Sequence, residues 1–589
     1  MLRKIMARRN GDDSGIALVM VIGVCSVLTI LVVAGITVAV GSMKKARADQ
    51  DWSSAMAAAY AGIEEYQSRL ANDTSYFQYG NPAATFAPTS SVTLPSGLAT
   101  NPAFGLGPSG SWAEVAGSDG AAQFRYEVDN SKYAAGGTLR LRSTGRAGGE
   151  TRTIVADLKQ QGFIDFLYFT DYEIQDPVNS GKSVNTCVKY AWAGRPTSTN
   201  NDCSEIAFGS SDVIAGPAHS NDTLRICAAR FEGAVTTARP GATPRYAKWD
   251  SNNASCSGQV FTVPGSPAYS PVIGMPATNS LLVKEVRSDI PAEVPRPGCL
   301  YTGPTQITFL STGQMNVKSP WTKATNVAGD PATSGSTPAA CGSVGTGANQ
   351  LGSAGGATFN VPEYNVIYVQ NVPSTTGNPN RWPTSGTGSM PNSNSCKAAS
   401  GSSVVGNGIG YPLTNEAPPS TSGATISYGC RNGDVFVKGD LKGQVTVAAE
   451  NYVYVTGDLK YTNAESDLLG LVGNNAIWVW NPVKSDGSTL LGNDGRQIDA
   501  AILSVGHSFQ VQNYTKGGNR GTLTVNGAIA QKFRGIVRNG TNGYAKNYQY
   551  DERFRYTAPP KFLSPVTTTY GVSIWIEVSP VFDSAGNYR

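Results

Sequence analysis

From Ile16 to Val40 no charged side chain occurs, and the polar positions are isolated small residues. These 25 residues are long enough, at about 1.5 Å per residue, to cross a hydrocarbon core of roughly 30 Å. The helical pattern continues past the apolar run. Ala55, Ala57, Ala58, Ala59 and Ala61 are strong helix formers, and Ile63, Tyr66 and Leu70 recur at helical spacing. Run and extension together predict one rod of about 55 residues, roughly 80 Å long. It ends near Asn72-Asp73, before Gly80-Asn81-Pro82.

A Gly/Ser/Thr/Pro-rich stretch follows from Ala83 to about Ser118, and then the period changes from 3.6 to 2. Gln123–Val128, Thr138–Ser143 and Thr151–Leu158 alternate apolar and polar positions, with Gly136-Gly137 and Gly148-Gly149 between them. They predict a small antiparallel sheet with a solvated, Arg-rich face. From Phe163 the pattern becomes short strand-forming runs between Gly, Asn, Asp and Pro. Three segments share Asn at the first position and an aromatic at the fourth: those beginning at Asn365, Asn451 and Asn475. Gly439-Asp440-Leu441-Lys442 recurs 18 residues later as Gly457-Asp458-Leu459-Lys460. Recurrence of a strand and a polar turn at this interval predicts stacked rungs, a right-handed parallel β-helix in which the Asn side chains form a ladder. An irregular β-sandwich fits the hydrophobic period equally well. Segments 240–300, 320–358 and 373–428 read as long loops, and Ser573–Val578 as a final strand.

The fold class expected is therefore mainly β with one long N-terminal helix. The expected segments are a basic leader (1–15), a transmembrane and amphipathic helix (16–72), a small antiparallel head (73–165), a β-solenoid-like domain (166–545) and an aromatic cap (546–589).

Composition narrows the function. Charged residues are 15% of the chain while Gly (67) and Pro (34) are numerous, as suits a loop-rich β protein. The net charge of +4 is scattered after the leader, so no dense basic face for nucleic acid is expected. Of nine cysteines, Cys25 is alone in the apolar run. The other eight (Cys187, Cys203, Cys227, Cys256, Cys299, Cys341, Cys396 and Cys430) form an even set downstream of a membrane segment, which reads as disulfides in an oxidising space. Eight cysteines allow 105 pairings; pairing of sequence neighbours is the expectation adopted. With no CxxC spacing, no structural zinc site is expected.

A basic leader ending in Gly15, an apolar helix beginning at Ile16, and an amphipathic extension carrying an outer domain resemble a type IV prepilin of the minor-pilin type with a PilX-like N-terminus. The resemblance covers about the first 70 residues. It implies cleavage by a prepilin peptidase between Gly15 and Ile16, methylation of the new N-terminus, and partnership with other pilin subunits, the pilus assembly machinery and membrane lipid. It also implies a single-pass inner-membrane protein with the N-terminus cytoplasmic and the bulk outside. The family pattern has Glu at the fifth position after the Gly; this chain has Met20. A buried Glu there neutralises a neighbouring subunit's amine, so its replacement points to a minor, tip or priming subunit rather than the bulk pilin. Parts of 205–235 and 500–535 resemble large pilus-associated surface proteins.

Enzyme chemistry finds little support, and neither catalytic residues, metal nor cofactor is expected. The two histidines, His219 and His507, each have a neighbouring Ser but no hydrolase motif. Gly181-Lys182-Ser183 ends like a P-loop, but Asp176 stands where the motif needs Gly. Asp212, Asn221 and Asp222 lack EF-hand or nonapeptide calcium spacing. Two other readings stay open: a signal-anchored surface protein binding glycan, and a polysaccharide-active β-helix enzyme.

Overall fold

The computed structural model describes residues 14–86, 88–96, 100–133, 138–160, 162–196, 202–241, 243–384, 407–417, 427–492, 495–565 and 570–589. The leader expected over 1–15 lies outside the described residues up to position 13. The chain is mainly β with one long N-terminal helix, and it divides into two compact units, Met1–Gln160 with Tyr570–Arg589, and Gln161–Thr569.

In the first unit the helix runs unbroken over Ser14–Asn72. Its two halves differ in burial. Leu18 to Val40 are exposed, whereas Ala55, Ala58, Ala59, Ile63, Tyr66 and Leu70 are buried. The buried set follows i, i+3, i+4 spacing, so one stripe of the second half faces a sheet. That sheet is antiparallel, with strands Ala113–Glu114, Ala122–Asp129, Thr138–Ala147, Glu150–Gln160 and Tyr570–Val578 in that order. Tyr66 anchors the stripe. Its ring meets Tyr76, Phe104 and Tyr126 edge-on, and its hydroxyl donates to the carbonyls of Tyr76 and Tyr79. Edge-to-face pairs of this kind add about 0.5–1.5 kcal/mol each beyond area burial.

The strand Tyr570–Val578 corrects the expected domain order. It pairs with Thr153–Gln160 of the small sheet, and Lys546–Tyr550 belongs to a strand, Asn542–Tyr550, of the second unit. The tail is thus no cap over 546–589, and the second unit is an insertion between two adjacent strands of the small sheet. The alternating pattern of 573–578 was enough to predict a strand, but a strand's partner is set by edge complementarity far away in sequence.

In the second unit most strands pair in parallel with the strand two further along, forming three ladders. One ladder carries, at equivalent positions, Leu300, Tyr368, Ala448, Val472, Leu503, Ala530, Phe169, His219, Thr236 and Ala268. Its order shows how the chain travels. Strands from Tyr168 to Tyr269 build toward one end of the ladders; the chain then passes to the opposite end at Cys299 and builds back until Asn519–Phe533 meets Tyr168–Tyr172. The passage lies over the outer side of that ladder, where Ile273, Leu282 and Val286 cover Phe169, Ala530, Leu503, Val472, Ala448 and Tyr368. Asn279, itself buried, pins it by donating to the Ala449 carbonyl (2.7 Å) and accepting from the Tyr368 hydroxyl (3.3 Å). The opposite face of the same strands, with Ile367, Val447, Leu471, Ile502 and Ile529, fills the main core. Burial on both faces explains the near-continuous apolar runs of these strands.

A second ladder aligns Phe436, Tyr454 and Trp478. The first two rings stack at 4.7 Å and 9°. Beside them Asn475 donates to Asn451, and Asn451 donates to Asp434, so the expected Asn ladder exists over these rungs. Asn365 is elsewhere: its strand pairs with Gln444–Ala449, and its side chain donates to the Arg296 carbonyl.

Candidate functional site

The residues singled out by the sequence fall in three places. Gly15 and Ile16 form the start of the helix, and Met20 lies one turn further along, 65% exposed. With no acidic residue in the first turn and an exposed, uncharged surface to Val40, this half of the helix is the only described one long and apolar enough to cross a membrane. An exposed apolar surface of this extent needs lipid or protein around it.

The cysteines lie in the second unit. Cys187 bonds Cys203, Cys227 bonds Cys256 and Cys299 bonds Cys341, each a sequence neighbour within the set. Cys430 is also disulfide-bonded, and Cys396 lies outside the described residues. Cys25 is free and exposed.

The two histidines occupy different settings. His219 is fully buried, stacked on Phe169 at 5.7 Å, with Thr236 Oγ1 at 2.8 Å and Asn221 Oδ1 at 3.0 Å. Burial pushes its imidazole down to about 4, so it is neutral, and neither ring nitrogen meets a carboxylate. His507 pairs with Asp176, whose other role is to cap Pro177–Ser180. The Ser508 hydroxyl is buried without a hydrogen-bond partner, so no Ser–His link of a catalytic relay forms there. The carboxylates considered for calcium are engaged by the protein. Asp212 accepts from Lys546 (3.0 Å), and Asp222 accepts from Arg195 and from the Glu173, Ala191 and Thr223 amides. No described group of His, Cys, Asp and Glu is arranged to hold a metal ion.

What sequence reasoning missed is a buried ionic network where the first and last strands of the second unit meet. Arg534 donates to Glu173 (3.2 Å) and to the Ile206 and Ala207 carbonyls, and lies 3.6 Å over the Phe208 ring. Arg195 joins Glu205 (2.9 Å) and Asp222, and Arg225 also reaches Glu205. Burial raises the Glu173 carboxyl, an effect opposed by Arg534. Burial would also raise Asp212, but the charges of Lys546 and Arg534 outweigh it and hold the carboxyl below its ordinary value. The network borders an open groove of about 850 Å³ lined in part by Glu205, Asp212, Arg534, Arg538 and Lys546. Because Arg534 and Lys546 are already paired, this arrangement acts mainly to hold loop 204–212 against residues more than 300 positions away. The partners are too far apart in sequence for any local pattern to announce them.

A second groove of about 830 Å³ lies beside Arg496, bounded by Thr456, Asp458, Gln497, Thr522 and Thr524.

No family model and no curated protein matches the chain. Among solved structures, the competence-associated pilin ComZ from Thermus thermophilus aligns over 90% of this chain and 97% of its own, at 10% identity and a TM-score of 0.24, a level at which no common fold or function follows.

Proposed function

We propose that this chain is a type IV pilin-like subunit that enters the inner membrane through its N-terminal helix and then joins a pilus-like fibre at low copy. The reading rests chiefly on the division of one continuous helix: an exposed, charge-free first half, and a second half whose Ala55–Leu70 stripe is buried against an antiparallel sheet. A simple anchor needs only the first half. In this reading a prepilin peptidase cuts between Gly15 and Ile16, the new terminus is methylated, and lipid, then other pilin subunits, surround the exposed half. Met20 offers no carboxylate to a neighbour's amine, which favours a tip or priming position over repeated ones. The parallel ladders of the inserted unit are read as the faces of a right-handed β-helix, displayed for adhesion or assembly rather than catalysis.

N-terminal mass analysis of the protein from purified surface fibres tests the proposal. A mature chain that begins at Ile16 and bears one added methyl group is expected. Recovery of Met1, or of a cut at any other bond, removes the pilin reading.

A further inference from the structure

Three cations buried in the second unit are paired: Arg195 with Glu205 and Asp222, Arg534 with Glu173, Lys546 with Asp212. Arg496 is different. Its Nε is buried without a hydrogen-bond partner, and among the described residues no carboxylate lies within ion-pair distance of it. A guanidinium with part of its donor fork withdrawn from water and unpaired carries a cost of about 1–3 kcal/mol that an oxyanion would relieve.

We propose that the groove beside Arg496 binds an acidic oligosaccharide, with Arg496 forking onto the carboxylate or sulfate of one sugar and neighbouring rungs contacting the hydroxyls. Three adjacent rungs build the site. Thr456 and Asp458 come from one, Arg496 and Gln497 from the next, Thr522 and Thr524 from the third. Gln497 and Thr524 are register partners on adjacent strands about 4.8 Å apart, with Asp458 beside Gln497, while Arg496 stands one position away, aligned with Leu523 at the strand end. Asp458, the one acid among the described lining residues, is engaged: it accepts from the Gln497 amide at 3.1 Å and lies 3.5 Å from Lys460 Nζ. It therefore leaves the charge of Arg496 available. The floor is bare backbone at Gly457. A Cβ there would lie 3.0 Å from Lys438 Cβ and 3.7 Å from Arg496 Nη1, so the glycine makes room for the guanidinium. The Thr524 hydroxyl accepts from Asn547 (3.2 Å) and keeps its own proton to donate, and Thr522 is exposed. Among the described residues the lining has no aromatic ring to stack a base and no acidic cluster to hold a cation, and one guanidinium among hydroxyls and an amide matches a polyhydroxyl chain bearing an oxyanion. The volume, about 830 Å³, is in the range of small-ligand sites, about 300–1,000 Å³. The inference stands on the second unit alone and is independent of how the N-terminus is processed.

Calorimetry on the full chain in detergent tests it with three probes: trigalacturonate, neutral galactotriose and sodium sulfate. Trigalacturonate is expected to bind, at least tenfold tighter than either other probe, and to weaken as salt is raised. Arg496→Gln is expected to lower that affinity at least tenfold, and Thr522→Val, an exposed position, about threefold. Because Arg496 has no ionic partner among the described residues to strand, the Gln variant should unfold at the parent's temperature; if it does not, the Thr522 variant and the probe comparison decide. Absence of trigalacturonate binding at millimolar concentration overturns the proposal, as does unchanged affinity in a folded Arg496→Gln. Equal affinity for galactotriose removes the charge requirement, and equal affinity for sulfate reduces the site to one for simple anions; either result also overturns it.

Discussion

Gly145 lies directly beneath the Ala55 carbonyl: a Cβ on Gly145 would sit 2.1 Å from that oxygen and 2.3 Å from the Ala59 amide nitrogen. The helix therefore rests on the sheet backbone to backbone, and the alanines at 55, 58 and 59 are the helix side of that approach. Gly145→Ala must lift the helix or bend the strand. Overpacking of this sort costs about 1–3 kcal/mol. Loss of protection of Tyr66 and Leu70 in hydrogen exchange, with faster proteolysis after Leu70, is the expected signature. A variant indistinguishable from the parent would mean that the helix is not seated there.

Arg534 joins the two ends of the inserted unit, and Glu173, its partner, is fully buried. Arg534→Met leaves that carboxylate uncompensated, a loss of about 3–5 kcal/mol. Glu173→Gln alone leaves the guanidinium its two carbonyl acceptors and should cost less. The double variant is expected to be more stable than the sum of the singles predicts, by about 1–3 kcal/mol in a thermal double-mutant cycle. Strict additivity would show that the pair is not coupled.

The three described disulfides close loops of 16, 29 and 42 residues. By loop entropy they contribute about 3, 3.6 and 3.9 kcal/mol respectively. Replacing both Cys299 and Cys341 by Ser should therefore lower the urea midpoint most, and replacing Cys187 and Cys203 least, with all three losses within about 1 kcal/mol of one another. A reversed order would place native-state packing, not chain entropy, in control.

These features differ in how far the sequence announces them. The helix is legible because its signal is local: an uncharged run followed by alanines and apolar residues at helical spacing. The alternation of 123–128, 138–143 and 151–158 is equally local, and each segment lies in a strand of the small sheet. Long-range choices are not written in this way. The likeness of Asn365 to Asn451 and Asn475 is a shared local chemistry, yet the three strands belong to two ladders. The two Gly-Asp-Leu-Lys segments recur at 18 residues, but Gly439 faces Leu459, not Gly457. An even shift keeps Leu441 and Leu459 both inside, so the hydrophobic pattern cannot report it. The insertion between Gln160 and Tyr570, and the ionic contacts of Arg534, depend on partners hundreds of residues apart.

His219 predicts one pH dependence. Its folded value, pushed down to about 4 by burial, is below the unfolded value of about 6.5, so the unfolded chain binds the proton first. Its contribution is complete above about pH 6.5 and falls as pH drops toward 4, by about 3 kcal/mol in all. His219→Gln should flatten this part of the stability profile, although it loses some stability at pH 7 through the Thr236 and Asn221 contacts. A parent and variant with parallel profiles from pH 4 to 6.5 would rule out a buried neutral histidine.

Asp434 predicts the opposite slope over nearly the same range. It is fully buried, and burial pushes its carboxyl up to about 7 despite hydrogen bonds from the Tyr452 amide, Asn451 and Asn432. The unfolded chain loses its proton near pH 3.9, the folded one near 7, so the folded state binds more protons between them and stability falls as pH rises. The loss is nil at pH 3, grows through the window and levels off above pH 7 at about 4 kcal/mol. Asp434→Asn keeps an oxygen to accept from Asn451 (2.5 Å) and from the Tyr452 amide (3.2 Å) while removing the ionisation. The variant should therefore match the parent within about 1 kcal/mol at pH 4 and exceed it clearly at pH 8 in urea unfolding. Because His219 acts with the reverse sign, the quantity to read is the difference between Asp434→Asn and parent at each pH, in which the histidine cancels. A difference that does not grow from pH 4 to pH 8 would show that Asp434 ionises in the folded protein as it does in water.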